Sequence, residues 1–326
     1  MSKKLEDLVA HQASALAKIQ HQIKERSPFL QCVVEGQLFW LRKAESDLTH
    51  SAPAWVLQAH KGTLDKLQRL YLALDPKRGV ELVALARNLF ENLIWLELFN
   101  RNVGYGLLFY LQLLRSQMQS QEQAIAQAKD EIELFKEADM KDCPNLDLID
   151  QILDEHAADP DGASAKVRAH IDGTMSHLDE DVGRTFSLYA HQAKFNGYGY
   201  QAHLLETTVI PQHEARRRLH QDSLDKLKLV LPHKLSPALL AESEARWNWK
   251  TYAQKVGISA DYRFIYAYTS RLLHSGPLNI VTAKDLGEDE RFLLLEYIRV
   301  AVNDVHTAID QFQFPGQVKM VMVGSP

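Results

Sequence analysis

Cysteine is nearly absent: Cys32 and Cys143 are the only two in 326 residues. Two isolated thiols make neither a disulfide framework nor a metal-ligand cluster, and they fit a reducing cytosol. Glycine and proline are also sparse, at 15 and 11 residues. Ala, Leu, Gln, Glu and Lys are abundant instead, a balance that favours helix over sheet. No charge-free run of about 18 apolar residues occurs, so no transmembrane helix and no membrane partner are expected. The nearest candidate, residues 80–99, is interrupted by Arg87, Glu91 and Glu97. The opening MSKKLEDLVAHQ carries lysines without a following apolar run, unlike a signal peptide. A cytoplasmic location is therefore expected. His-Glu-x-x-His, paired Glu-x-x-His, Cys-x-x-Cys, Gly-x-Gly-x-x-Gly and P-loop patterns are all missing, so neither a metal nor another cofactor is expected. The net charge of −5 gives no global reason to expect nucleic acid, although a local basic patch can still bind it.

What is present is helical periodicity and an apolar fraction of 46%, enough to bury a core. Leu5, Leu8, Val9, Leu16, Ile19 and Ile23 recur at three and four, predicting a helix over 2–26. Ser27-Pro28 is expected to end it. Further helices are predicted over about 28–49 and 53–74. The Asp75–Gly79 break is read as the boundary of an N-terminal helical subdomain, 1–75. A helical core domain, 76–314, and a tail, 315–326, would follow. The expected fold class is all-α, a multi-helix bundle.

Residues 80–99 are apolar on nearly every face of a helical wheel, which places that helix mid-core. A long helix over about 107–138 has a polar second half with a thin apolar stripe (Ile125, Ala128, Ile132, Phe135), suggesting an exposed hairpin arm. Residues 130–161 hold about twelve acidic side chains, a strong local anion. Helices are expected over 145–156, 163–195, 200–230, 237–256, 259–275 and 288–312, with Ser259 capping the second-last.

Two distant segments carry reaction-capable side chains at helical spacing. In the first, Arg87 and Glu91 lie one turn apart and are expected to form a buried ion pair. In the second, Tyr262, Tyr266, Ser270 and His274 follow at every fourth position, which puts them on one face. If these helices pack together, the groups share a site. His274 in the last turn suits general acid–base work. The same residues equally suit a structural polar network. Tyr262, Tyr266 and Tyr268 fit a pocket lining or, by the stronger prior, core packing with a polar tip.

Glu296, Arg299, Asn303, His306 and Asp310 form a stripe on the final helix, read as a solvated face. Arg299-x6-His306 and Arg184-x6-His191 match a loose ribonuclease pattern that chance alone supplies in a chain of this composition. Arg216, Arg217 and Arg218, with neighbouring lysines and histidines, form the only basic cluster. It suits phosphate contacts or a solvated face.

The run ARNLFENLIWLELF followed by WNWKTYAQKVGISADYRFIYAYTSRLLHSGP resembles domain-of-unknown-function family 5677, a set of uncharacterised, mainly bacterial helical proteins. The matching positions are Arg87, Glu91, Tyr262, Tyr266, Ser270, His274 and Pro277, and the likeness spans about residues 80–280. Its helical character is similar to that of HEPN (higher eukaryotes and prokaryotes nucleotide-binding) proteins, many of which act in toxin or antiphage systems. The spacing Arg271-x2-His274 is shorter than the HEPN ribonuclease motif. The leading expectation is a metal-independent, HEPN-like effector that binds or cleaves RNA. His274, Arg87, Glu91 and Ser270 would be catalytic; Tyr262, Tyr266 and Arg271, with Arg216 and Arg217 of the basic cluster, would hold substrate. A second copy or a neighbouring defence protein is the expected protein partner. The competing reading is a non-catalytic interaction or sensor protein.

Overall fold

Helix α1 (Lys3–Ala44) is set by a stripe that repeats at every third or fourth position. Ile19, Ile23, Ser27, Leu30, Val34 and Leu38 are all buried along it. The stripe passes Pro28 without losing phase, so the helix continues through a residue expected to end it. Pro28 removes one backbone hydrogen bond, and the packing on both sides holds the helix together across that gap. The computed structural model describes residues 3–141, 146–155, 159–273 and 286–313, and no strand occurs among them. The fold is all-α.

Two compact units divide the chain: residues 1–112 with 227–326, and residues 113–226. The boundary anticipated at 75–76 falls inside the first unit, because α1 packs mainly on the last described helix rather than within an N-terminal subdomain. The tail 315–326 lies outside the described residues.

In the first unit, α2 (Ala52–Lys66) begins at Ser51, whose hydroxyl accepts the Ala54 N–H, and runs on into a π-helical turn at Leu67–Tyr71. Helix α3 (Gly79–Arg101) buries residues on every side, among them Leu82, Leu85, Phe90, Ile94 and Phe99. It is the central helix, as its all-round apolar wheel requires. Gly106, at the start of α4 (Tyr105–Lys141), lies against Ala52: a Cβ there would come within 2.2 Å of the Ala52 carbonyl oxygen.

In the second unit, Ile132, Phe135 and Ala138 of α4 pack with Leu178, Val182, Ala193, Tyr198 and Leu205. The anticipated exposed arm therefore has its own core. Helix α5 (Leu146–Glu155) precedes α6 (Pro160–Arg184), which is capped by Asp159. The single helix expected over 163–195 is split into α6 and α7 (Ala190–Asn196). Glu131 explains the break. Its buried carboxylate accepts the Ser187 hydroxyl at 2.5 Å, the Leu188 N–H at 2.9 Å and the Tyr189 N–H at 3.0 Å. These bonds satisfy donors at the start of α7 that have no intrahelical acceptor. Gly197, at φ 84°, turns the chain into α8 (Tyr198–Leu204). A π-helical turn at Leu205–Val209 joins α8 to α9 (Ile210–Lys234), which crosses back to the first unit with Pro232 inside it.

The helix expected over 237–256 is also two: α10 (Pro237–Glu244) and α11 (Trp249–Val256). Between them Trp247 stacks on Trp95 at 4.1 Å and on Tyr252 at 3.8 Å. The Asn248 side chain caps α11 by accepting from Lys250 and Thr251. Gly257, left-handed at φ 89°, ends α11. Then α12 (Ser259–Asp261), a π-helical turn (Tyr262–Tyr266) and α13 (Ala267–Leu273) form one continuous segment. Ser259 is its first helical residue, not its cap, and Ile258 occupies the cap position. The final helix, α14 (Glu288–Gln311), packs on both α1 and α3.

Candidate functional site

The two distant segments pack against each other in the first unit. On α3, Phe90 is fully buried and seats both tyrosines, with ring centroids 6.2 Å from Tyr262 and 6.3 Å from Tyr266. Tyr262 and Tyr266 stack on each other at 4.9 Å with planes 16° apart. They belong to the π-helical turn, a local widening that recurs at functional sites. Buried Ile265 and Thr269 anchor the inner side of the same segment, Thr269 donating to the Ile265 carbonyl at 2.6 Å.

Arg87 sits at the middle of this contact. Its Nε donates to Glu91 at 3.1 Å, one terminal nitrogen to the Ser270 hydroxyl at 3.3 Å, and the other to the Tyr266 hydroxyl at 3.3 Å. The guanidinium carbon lies 4.6 Å from the centre of the Tyr266 ring, within cation–π range. The anticipated sealed ion pair is half-open: 23% of the Arg87 side chain and 27% of the Glu91 side chain are exposed. Two 3.3 Å bonds and a partly solvated ion pair together stabilise the fold by roughly 1–3 kcal/mol. The arginine has five N–H donors. Three are used, so two have no acceptor among the described residues.

Thus Arg87, Glu91, Tyr262, Tyr266 and Ser270 are brought together. Arg271 follows on α13. His274 and Pro277 lie outside the described residues. Tyr268 points elsewhere, donating to Glu290 at 2.7 Å and stacking on Phe264. Arg216 and Arg217 belong to the second unit, on the exposed face of α9. There Arg217 lies 3.7 Å from Glu122 and Arg218 lies 3.5 Å from Glu214.

The stripe anticipated as a solvated face on α14 is not uniform. His306 is fully buried, and its Nε2 lies 2.8 Å from the Ser27 hydroxyl. Burial, aided by the nearby Arg26 charge, brings its pKa down to about 4. Val302, Val305 and Ile309 place it among apolar positions, a signal legible in the spacing. His60 was missed altogether. It is fully buried between Phe99 and Phe312, neither ring nitrogen has a hydrogen-bond partner among the described residues, and burial lowers its pKa to about 3. Glu97, Asp261 and Asp304 are half-buried carboxyls whose pKa values are raised, chiefly by desolvation. Repulsion from Asp304 adds to the shift at Glu97 and Asp261.

Among the described residues no group of three or more His, Cys, Asp or Glu side chains is arranged to hold a metal ion. No described helix is long and apolar enough to cross a membrane. No family model, curated protein or solved structure matches this chain.

Proposed function

We propose that this chain is an HEPN-like helical effector that binds and cleaves RNA in the cytoplasm, in a bacterial toxin or antiphage setting. The observation that supports it is the partly exposed Arg87 guanidinium, two of whose donors have no acceptor among the described residues, beside the stacked Tyr262–Tyr266 pair. A phosphate oxygen suits those donors. An unstacked base suits an aromatic face, the usual way proteins hold single-stranded RNA. His274 follows Ser270 by one helical turn in sequence and would take the proton from the 2′-hydroxyl. That oxygen attacks phosphorus, the P–O5′ bond breaks, the 5′-oxygen takes a proton from water, and a 2′,3′-cyclic phosphate remains while His274 gives its proton back to solvent. Glu91 would orient His274, Ser270 would assist and Arg271 would add a phosphate contact. On the second unit, Arg216 and Arg217 would form a phosphate-binding patch of their own.

The test is cleavage of a labelled single-stranded RNA in the presence of a chelator, with the cyclic phosphate end scored. His274→Ala and Arg87→Ala should abolish cleavage while His274→Ala keeps the melting temperature. An RNA left intact and unbound by the wild-type chain defeats the reading.

One observation favours a second, non-catalytic reading. Arg87 is already neutralised within its own helix by Glu91, and its bonds to Ser270 and Tyr266 tie the 259–273 segment to α3. On that reading the cluster is a clasp in an interaction or sensor protein. Arg87→Ala then loosens the 259–273 segment in hydrogen exchange, and no RNA chemistry is present to lose.

A further inference from the structure

Helix α1 uses one side for the core and presents a second apolar stripe on the other. Phe29, Val33 and Trp40 are 56%, 38% and 59% exposed, and Gly36 completes the series with the spacing 4, 3, 4. That is the spacing of a seam between two helices. Exposed large side chains scattered singly need no explanation, but a contiguous stripe marks an interaction surface. Gly36 is the second observation. Glycine weakens a helix interior, and a Cβ built there meets nothing within 4 Å. Nothing among the described residues requires glycine at this position, whereas a close-packed neighbouring helix would.

We infer that this stripe is the contact for a second copy of the same chain, with the two α1 helices running antiparallel. The stripe is complementary to itself. A two-fold axis between Val33 and Gly36 sets Phe29 of each copy opposite Trp40 of the other, and the small Gly36 opposite Val33. The flanking charges obey the same symmetry. Glu25 and Lys43 are both exposed and stand eighteen residues apart, about five full turns. They therefore lie on the same side of the stripe, one at each end. The antiparallel arrangement brings Glu25 of each copy to Lys43 of the other, giving two opposite-charge pairs. A parallel arrangement would put the matching charges of the two copies at the same height on opposite flanks of the seam, where neither meets an opposite charge. Lys43 is held near this end by its position over the Phe39 ring, 4.7 Å from the centroid. A single helix pair lies at the small end of specific interfaces, so association in the micromolar range is expected. This inference is independent of any action on RNA.

The experiment is sedimentation equilibrium of the full chain over a micromolar concentration series, with circular dichroism to confirm folding. The wild type should show a monomer–dimer equilibrium. Gly36→Gln, which has open space in the monomer, should keep the helix signal and leave only monomer. Glu25→Lys and Lys43→Glu should each weaken self-association by about tenfold or more, because like charges then meet. An equimolar mixture of those two variants should associate again, since every facing pair becomes complementary. A wild-type chain that stays monomeric overturns the inference. So does a dimer indifferent to Gly36→Gln, or two variants that fail to rescue each other; either result would give the stripe to another occupant.

Discussion

The Ser27 hydroxyl and His306 Nε2 meet at 2.8 Å in a fully buried position, joining α1 to α14 through residues 279 positions apart in the chain. Gln12, bonded to Glu288 at 2.7 Å, and Arg26, bonded to Asn303 at 3.0 Å, fasten the same two helices at other points. The buried pair is neutral. Its imidazole has its pKa depressed to about 4, so the unfolded chain takes up a proton first as pH falls. Stability contributed by the neutral ring is complete above about pH 6.5 and is lost between there and pH 4, on the order of 3 kcal/mol in all. Urea denaturation followed from pH 7.5 to 4 should show this slope. The double variant Ser27→Ala/His306→Leu should reduce it, leaving the share that buried His60 contributes over the same range.

His60 gives a contrasting case. With no hydrogen-bond partner among the described residues and aromatic neighbours on two sides, it behaves as an apolar group at neutral pH. His60→Leu should therefore change stability at pH 7 by less than about 1.5 kcal/mol. Because its folded pKa is depressed to about 3, the same variant should gain relative stability once pH drops below about 6.5. A large loss at pH 7 would mean that the imidazole has a polar role in the fold.

Glu131 holds three donors of the 187–189 turn, as well as the Gln127 amide at 3.0 Å. Glu131→Ala should cost about 1–3 kcal/mol, since several part-buried donors lose a charged acceptor at once. Hydrogen exchange should report the loss first at the amides of Leu188 and Tyr189. Unchanged protection there would mean that the turn is held by its backbone alone.

Around Arg87, Tyr266→Phe removes one long hydrogen bond but keeps the ring. It should cost no more than about 1 kcal/mol. The coupling between Arg87→Ala and Ser270→Ala, measured by a double-mutant cycle in urea, should be about 0.5–1 kcal/mol. A coupling near zero would show that the 3.3 Å contact contributes nothing in solution.

Periodicity was a good guide where burial alone decides. The all-round apolar wheel of 80–99 placed α3 at the centre, and four-residue spacing put Tyr262, Tyr266 and Ser270 together. It failed where a distant polar contact overrides a local signal. Pro28 reads as a stop, yet packing on α14 carries the helix through it. Residues 185–189 read as helix, yet the Glu131 carboxylate, more than fifty residues away, captures their donors. The π-helical turn at Tyr262–Tyr266 has no composition of its own and was not anticipated. His306 was assigned to a wet face because the charged Arg299 and Asp310 share its phase, although Val302 and Ile309 point the other way.

The joining of α1 to α14 also sets a schedule for synthesis. The residue that satisfies Ser27 is translated 279 positions later, on the order of ten to sixty seconds at ordinary elongation rates. Through that interval the part of α1 that packs on α14 has no permanent cover, and its second apolar stripe is equally bare. The nascent chain is therefore a natural client for holding chaperones. A stop codon anywhere before α14 would yield a product that stays in that unfinished state and is open to proteolysis.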